Sequence, residues 1–217
     1  MQKATYAQLG DACATAHAME LIGSRWTYPI LRELMLGPKR FNELLATVRG
    51  ITPAVLSGRL RELASTGLAQ ERPGTTPGQH VYALTPWATE LGPILRELGR
   101  WAQASPVREA GGGLTPDAAV QAMLTMARPG LAPAAGELQL YLRDERVSAV
   151  EHPYRVRWDA AELHAERGTW ADPTTTLRAD SSTWAEILFA GLSVDENSEV
   201  TGEPSTVEAL LACFPAA

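Results

Sequence analysis

The 217-residue chain is 45% hydrophobic and 20% charged, which excludes a disordered chain and is typical of a soluble globular protein with two modest domains. No apolar run approaches the roughly 20 residues that cross a bilayer, so we expect no membrane span and a cytoplasmic location. Cys13 and Cys213 are far apart in the sequence, which predicts neither a disulfide framework nor a metal site. No cofactor is predicted.

The charge is divided unevenly along the chain, whose formal net charge is -6. Residues 1–104 hold 11 basic and 8 acidic residues, a net charge of +3, whereas residues 105–217 hold 8 and 17, a net charge of -9. Only the first half is therefore expected to meet phosphate, although chance asymmetry between two domains is the alternative. The segment 105–113 ends in three glycines and predicts a flexible linker between a domain at 1–104 and a domain at 114–217.

Periodic apolar residues predict helices and one hairpin in the first half. Phe41, Leu44, Leu45 and Val48 repeat at the spacing of a single helix face. The predicted helices cover residues 11–22, 26–36, 41–48 and 53–66, followed by strands at 68–72 and 80–84 and by a last helix after residue 85 that Gly92-Pro93 should kink. The loop between the two strands is long enough to protrude as a wing.

The helix over residues 53–66 is the predicted recognition helix of a helix-turn-helix, because Gly50 closes a tight turn and Thr52 can cap the helix. Leu56, Leu60 and Leu63 should face inward, which leaves the opposite face for the DNA major groove. The predicted DNA-contacting residues are Lys39, Arg40, Thr52, Ala54, Ser57, Gly58, Arg59, Arg61, Arg72 and His80. Any single arginine among them fits a solvated surface residue equally well.

In the second half, apolar and polar residues alternate with a period of two residues, which is typical of β-strands. Predicted strands cover residues 137–142, 146–151, 154–158, 162–166, 174–179 and about 198–201, and predicted helices cover residues 116–127 and begin near Thr183 and Ser205. This order predicts an α+β domain with helices on a largely antiparallel sheet.

The first half also resembles a known family through Cys13, Leu21–Thr27, Arg40–Leu44, Leu56–Leu63 and Trp101. These residues are similar in order and spacing to the HxlR-type winged helix regulators of bacteria and archaea. The resemblance implies a mainly α winged helix-turn-helix domain, double-stranded DNA as the partner, and a homodimer joined through the first and last helices of that domain. Such a dimer would bind a roughly palindromic operator with half-sites about 34 Å apart.

Two positions depart from that family, which often carries long polar side chains where this chain has Ala54 and Gly58. The departure predicts weaker direct reading of bases. It also favours an alternative function, a ligand-binding or dimerising module that has weak or lost DNA binding.

The second half resembles the sterol carrier protein fold more loosely, through Thr183–Leu188, Gly191, Thr201–Glu203 and Phe214. The resemblance implies a small apolar ligand in a tunnel. The side chains expected to line that pocket are Trp158, Trp170, Trp184, Leu188, Phe189 and Leu192. Each of them also fits an ordinary hydrophobic core.

Cys13 is another candidate input, because the first resemblance implies that a cysteine near this position can sense oxidants or electrophiles. The alternative is a small buried cysteine. An enzyme is not predicted, since the four histidines are scattered and no nucleotide-binding glycine loop or G-x-S-x-G motif occurs.

Overall fold

The computed structural model describes residues 4–107 and 111–214, and backbone contacts divide the chain into two compact units, Met1–Leu91 and Gly92–Ala217. This division falls before the predicted linker at 105–113, of which residues 108–110 lie outside the described residues, as do residues 215–217. The helix that precedes the linker packs with the second unit, where Arg100 Nε donates a hydrogen bond to the Thr125 carbonyl at 2.6 Å. A functional boundary at residue 104 stays a prediction.

The first unit is a helical assembly with one hairpin, as the sequence predicted. Its helices and strands are α1 (Ala14–Ile22), α2 (Thr27–Leu34), α3 (Phe41–Thr47), α4 (Pro53–Ser65), β1 (Ala69–Pro73), β2 (His80–Leu84) and α5 (Pro86–Thr89). Helix α1 begins later than predicted, because the Asp11 carboxylate accepts a hydrogen bond from the Cys13 N–H at 2.8 Å and forms a turn there. Pro29 lies in the first turn of α2, where a missing N–H is tolerated.

Leucine and isoleucine side chains hold these helices together. Ile30 and Leu31 of α2, Leu44 of α3 and Leu56 of α4 are all 0% exposed. A hydrogen bond connects the end of the hairpin to the end of α4, since Thr85 Oγ1 donates to the Gly67 carbonyl at 2.6 Å. The predicted kink at Gly92-Pro93 is wrong: the chain instead breaks at Glu90 between α5 and α6 (Leu91–Gln103), which leaves Pro93 in the first turn of α6.

The second unit packs helices on one sheet, which confirms the predicted α+β class. After α6 its elements are α7 (Pro116–Met126), β3 (Gly136–Asp144), β4 (Ser148–Trp158), β5 (Leu163–Arg167), β6 (Thr176–Asp180), α8 (Ser181–Ala190), α9 (Val194–Asn197), β7 (Glu199–Thr201) and α10 (Pro204–Leu211). The strand order is β5-β4-β3-β6-β7, and every pair is antiparallel except β3 with β6. The sterol carrier protein resemblance stays a prediction.

The sheet has a core face and an outer face that alternate along each strand. Leu138, Leu140, Tyr154 and Leu177 are fully buried on the core face. The strands predicted at 146–151 and 154–158 are one strand, β4, with Pro153 inside it. Pro153 lies where the pairing of β4 with β5 ends, since β5 pairs with residues 154–158 and the Pro153 carbonyl accepts the Gly168 N–H at 3.0 Å. A proline at the end of a ladder removes no further hydrogen bond between strands.

Within residues 4–107 and 111–214, no helix is both long enough and apolar enough to span a bilayer.

Candidate nucleic-acid interface

Helix α4 separates an apolar face from an exposed one. Leu56, Leu60 and Leu63 are at most 2% exposed, which confirms the inward face that the sequence predicted. Thr52 caps the helix by accepting the Val55 N–H at 3.4 Å, and Pro53 occupies the first turn. The opposite face presents Thr52, Ala54, Ser57 and Arg61 as exposed residues, with Gly58 half-buried among them.

The arginines of this helix differ in how they are engaged. Arg61 is exposed and its Nε donates to the Ser57 carbonyl at 3.4 Å, while no carboxylate of the described residues lies within 4.0 Å of it. Arg59 has a side chain only 20% exposed and contacts Glu62 Oε2 at 2.6 Å. Arg61 is therefore the better group for binding phosphate or a base edge, because Arg59 would first have to leave its own ion pair.

Lys39 requires a correction. It was expected to meet backbone phosphate, but it is only 5% exposed and its ammonium contacts the Glu33 carboxylate, which is fully buried. Its backbone exchanges hydrogen bonds with Tyr82, the Lys39 N–H donating at 3.0 Å and its carbonyl accepting at 2.8 Å, so Lys39 extends the hairpin sheet. Lys39 positions the wing rather than presenting a charge to DNA.

Glu33, the partner of Lys39, was missed by the sequence reasoning. The signal was available, because Glu33 follows Ile30 by three residues and precedes Leu34 by one, which places it on the buried stripe of α2. A carboxylate at such a position needs a cation, since an unpaired buried charge is costly.

Arg40, beside Lys39, is exposed at the start of α3. Its backbone N–H donates to Glu43 Oε2 at 2.6 Å and its guanidinium lies 3.3 Å from Glu43 Oε1. Burial opposes ionisation of Glu43, but these hydrogen bonds outweigh it and lower the pKa of that carboxyl. The ion pair is exposed on both sides and therefore weak, so Arg40 can exchange it for a phosphate.

The wing loop between β1 and β2 is closed by a hydrogen bond from the Gly74 N–H to the Gln79 carbonyl at 2.7 Å. Arg72 is exposed on β1, with no carboxylate of the described chain within 4.0 Å. His80 is also exposed and lies 3.0 Å from the Glu71 carboxylate. Of the two predicted wing residues, Arg72 is the available cation.

Cys13 is exposed at the N-terminal end of α1, whereas Cys213 is buried in the second unit. Hydrogen bonds from the Ala16 and Thr15 N–H groups lower the pKa of the Cys13 thiol, because they stabilise the thiolate. Burial raises the pKa of Cys213. The alternative that Cys13 is a small buried residue is wrong.

The predicted ligand-pocket residues do not surround one apolar space. Trp158, Trp184 and Leu188 are at most 5% exposed and belong to the core of the second unit. Trp170 lines a small polar cavity, and Trp158 lines a neighbouring one that shares Arg157 and His164 with it. Phe189 packs edge-on against Phe214, with ring centroids 6.0 Å apart, and Leu192 is half-buried.

Comparison with known proteins assigns the first half of the chain to a family. Residues 21–109 match the family described as HxlR-like helix-turn-helix. The transcriptional regulator YodB of Bacillus subtilis is 36% identical over 86 residues, which are 39% of this chain and 77% of YodB. This chain belongs to the HxlR-like helix-turn-helix family of DNA-binding transcriptional regulators.

Other relatives match a similar share of the HxlR-like chain. The uncharacterized regulator Rv3095 of Mycobacterium tuberculosis is 38% identical over 89 residues, 41% of this chain and 56% of Rv3095. The solved reduced form of YodB from B. subtilis is 30% identical, covers 46% of this chain and 100% of its own, and superposes with a TM-score of 0.41. These relatives are named as transcriptional regulators, not as enzymes.

Proposed function

We propose that this HxlR-like chain regulates transcription as a homodimer that inserts α4 into the DNA major groove. Ser57 and Arg61 meet base edges or phosphates, and Arg40 and Arg72 contact flanking phosphates. The observation that supports this is the exposed outer face of α4, which presents Arg61. No carboxylate of the described residues lies within 4.0 Å of the Arg61 guanidinium, and the opposite face of the helix is buried in the core. A helix presented this way can enter the groove without rearranging the unit.

The test is affinity for DNA fragments that the full chain selects from random duplexes, measured at increasing salt. Phosphate contacts release counterions, so the logarithm of affinity should fall linearly with the logarithm of salt concentration. The selected site should be palindromic, with half-sites about one DNA turn apart. Binding that does not respond to salt would refute phosphate contact. It would favour the alternative hypothesis, a dimerising or ligand-binding module with weak or lost DNA binding.

Dimerisation is supported by apolar side chains that α6 leaves exposed. Ile94, Leu98 and Trp101 lie on one face of that helix and are 59%, 44% and 76% exposed. On α1, Met19 is 47% exposed. Apolar surface of this kind is typical of an interface. Sedimentation at micromolar concentration should give a dimer, and Trp101→Glu should give monomers; a monomeric natural chain would contradict this part of the proposal.

Modulation by a small apolar ligand in the second unit is also proposed. A groove of about 360 Å³ lies between α9, β7 and α10, with Val194, Val200, Val207 and Leu211 on its walls and with Asp195 and Glu208 also lining it. Such a groove suits part of an apolar molecule. A ligand should raise the thermal unfolding midpoint by mass action and change DNA affinity. If no compound of a broad fatty and aromatic panel changes the unfolding midpoint or the DNA affinity, the proposed modulation by an apolar ligand is wrong.

Redox sensing through Cys13 is a second candidate function, favoured by its exposure and its lowered pKa. The chain provides a matched control in Cys213, which is buried and has a raised pKa. Quinone or peroxide treatment should weaken DNA binding in the natural chain and in Cys213→Ser, but not in Cys13→Ser. Equal loss in Cys13→Ser would show that Cys13 is not the sensor.

A further inference from the structure

A small cavity lies on the outer face of the second unit's sheet, between β4 and β5 and away from the core. Its volume is about 100 Å³. The residues that line it are Arg155 and Arg157 of β4, His164, Ala165 and Glu166 of β5, and Trp170 of the following loop. The space accommodates one small charged group rather than an extended molecule.

Two lining residues carry buried donors without partners. Arg155 Nε and Trp170 Nε1 are both inaccessible to solvent, and neither has a hydrogen-bond acceptor among the described residues. A buried N–H without an acceptor is costly, so such groups are rare in native structures. Two of them beside one cavity point to an acceptor that the chain itself does not supply.

The loop that carries Trp170 is held in place independently of any ligand. Gln139 is fully buried, its Nε2 donates to the Gly168 carbonyl at 3.2 Å, and its Oε1 accepts the Trp170 N–H at 2.8 Å. The Arg155 guanidinium stacks over the Trp170 ring at 5.2 Å from its centroid. The wall of the cavity is therefore fixed in advance, which lowers the entropic cost of binding.

The charges around the cavity favour an anion. Glu166 lines it but contacts Arg155 Nη2 at 3.0 Å, and His164 lies 2.5 Å from Glu162, which precedes β5. Arg157 is exposed, and in the described parts of the chain no carboxylate lies within 4.0 Å of its guanidinium. The cation that remains available at this cavity is thus Arg157, in a half of the chain that is otherwise acidic.

We propose that this cavity binds a small oxyanion, either a carboxylate or a phosphate group. The anion accepts hydrogen bonds from the two unpartnered donors, the indole N–H of Trp170 and Nε of Arg155, and the Arg157 guanidinium adds a third donor and a positive charge. Neither unpartnered donor has solvent-accessible surface, so both side chains shift slightly to reach the anion. Charge-assisted hydrogen bonds of this kind, and the planar donor set of arginine, suit both anions. The site is separate from the DNA-binding residues and from the apolar groove, so it would be a distinct input to the regulator.

The test is calorimetric titration of the full chain with inorganic phosphate and, in a second arm, with acetate, each against sodium chloride at equal ionic strength. Arg157→Gln removes the charge, and Trp170→Phe removes the N–H but keeps a ring. Each variant should lower affinity by about tenfold, the loss expected for one charge-assisted hydrogen bond. Arg143→Gln is the control, because Arg143 lies on the same sheet face but is paired with Glu145 at 2.9 Å.

The site would be supported by saturable binding of either anion that Arg157→Gln and Trp170→Phe weaken and Arg143→Gln does not. Preference for phosphate or for acetate would then show whether the natural ligand carries a phosphate or a carboxylate group. Absence of binding beyond chloride would overturn it. Binding that Arg143→Gln weakens as much as Arg157→Gln would also overturn it, since the effect would then follow net charge alone.

Discussion

The two units carry their arginines differently. In the first unit, Arg61 and Arg72 are exposed, and the part of the chain that the structure describes places no carboxylate within 4.0 Å of either. In the second unit each of a larger set of arginines has a carboxylate within 3.0 Å, namely Arg143, Arg146, Arg155, Arg167 and Arg178. The second unit also has exposed arginines without such a partner among the described residues, Arg128 and Arg157. Exposed arginines without a carboxylate partner, rather than the total number of arginines, therefore mark the surfaces that can bind phosphate.

The units are alike in one respect, since each has a fully buried carboxylate in an ionic contact with a residue of another structural element. In the first, Lys39 beside the hairpin contacts Glu33 of α2. In the second, Asp117 of α7 accepts from Arg167 Nη2 at 2.5 Å and from the Tyr154 hydroxyl at 2.6 Å. Both contacts fix where a strand lies relative to a helix.

The largest expected effect compares these two buried carboxylates. Glu33→Gln and Asp117→Asn keep the shape of each side chain but remove a buried negative charge that contacts a cation, buried Lys39 in one case and half-buried Arg167 in the other. Each should lower the free energy of unfolding by about 3 kcal/mol. Chemical denaturation of the full chain measures it. If Glu33→Gln is nearly neutral, then Lys39 does not depend on Glu33 and its burial has another cause.

The next effect tests the arginines themselves. Arg61→Ala should weaken DNA binding by about 1–3 kcal/mol and lower the salt slope by about one if its contact is with phosphate. Arg143→Ala, in the second unit, should leave both quantities unchanged because its guanidinium is paired and lies outside α4. Equal losses for the two variants, measured by fluorescence anisotropy on a selected site, would contradict the distinction between available and paired cations.

A smaller effect comes from the same Thr-Pro helix start in both units. Thr52 caps α4 through the Val55 N–H at 3.4 Å and is exposed, whereas Thr115 caps α7 through the Ala118 N–H at 3.2 Å and is buried. Thr115→Ala should cost about 2 kcal/mol and Thr52→Ala about 1 kcal/mol or less, the two ends of the range for caps. Thermal unfolding measures the ranking, and the reverse order would show that burial does not strengthen the cap.

The smallest expected effect uses two glycines that each have open space where a Cβ would lie, Gly58 in α4 and Gly191 after α8. Gly58→Ala should stabilise the chain by up to about 1 kcal/mol, because alanine is the better helix former. Gly191 has φ of +73°, so Gly191→Ala should destabilise it by about 1 kcal/mol. Should Gly58→Ala also weaken DNA binding, close approach of the helix to the groove would be the reason that glycine stands there.

Much of the interface could be predicted because its signals are local. The 0, 3, 4, 7 spacing in α3, the Thr52 cap and the inward leucines of α4 depend on neighbours within a few residues along the chain. Lys39 was misplaced for the opposite reason. Its burial depends on Glu33 and on the hairpin partner Tyr82, which is 43 positions further along the sequence, and no local pattern reports that pairing.

By itself the sequence determined most of the helices and strands, where α4 begins, and which of its faces is apolar, because helix periodicity and capping act over one or two turns. Only the tertiary structure decided which charges are available. It buried Lys39, paired Arg59 with Glu62, joined two predicted strands into β4, set β3 parallel to β6, and left Arg61 and Arg157 without carboxylates within 4.0 Å among the described residues. Burial and pairing of charges depend on contacts between distant residues, and these exist only once the chain has folded.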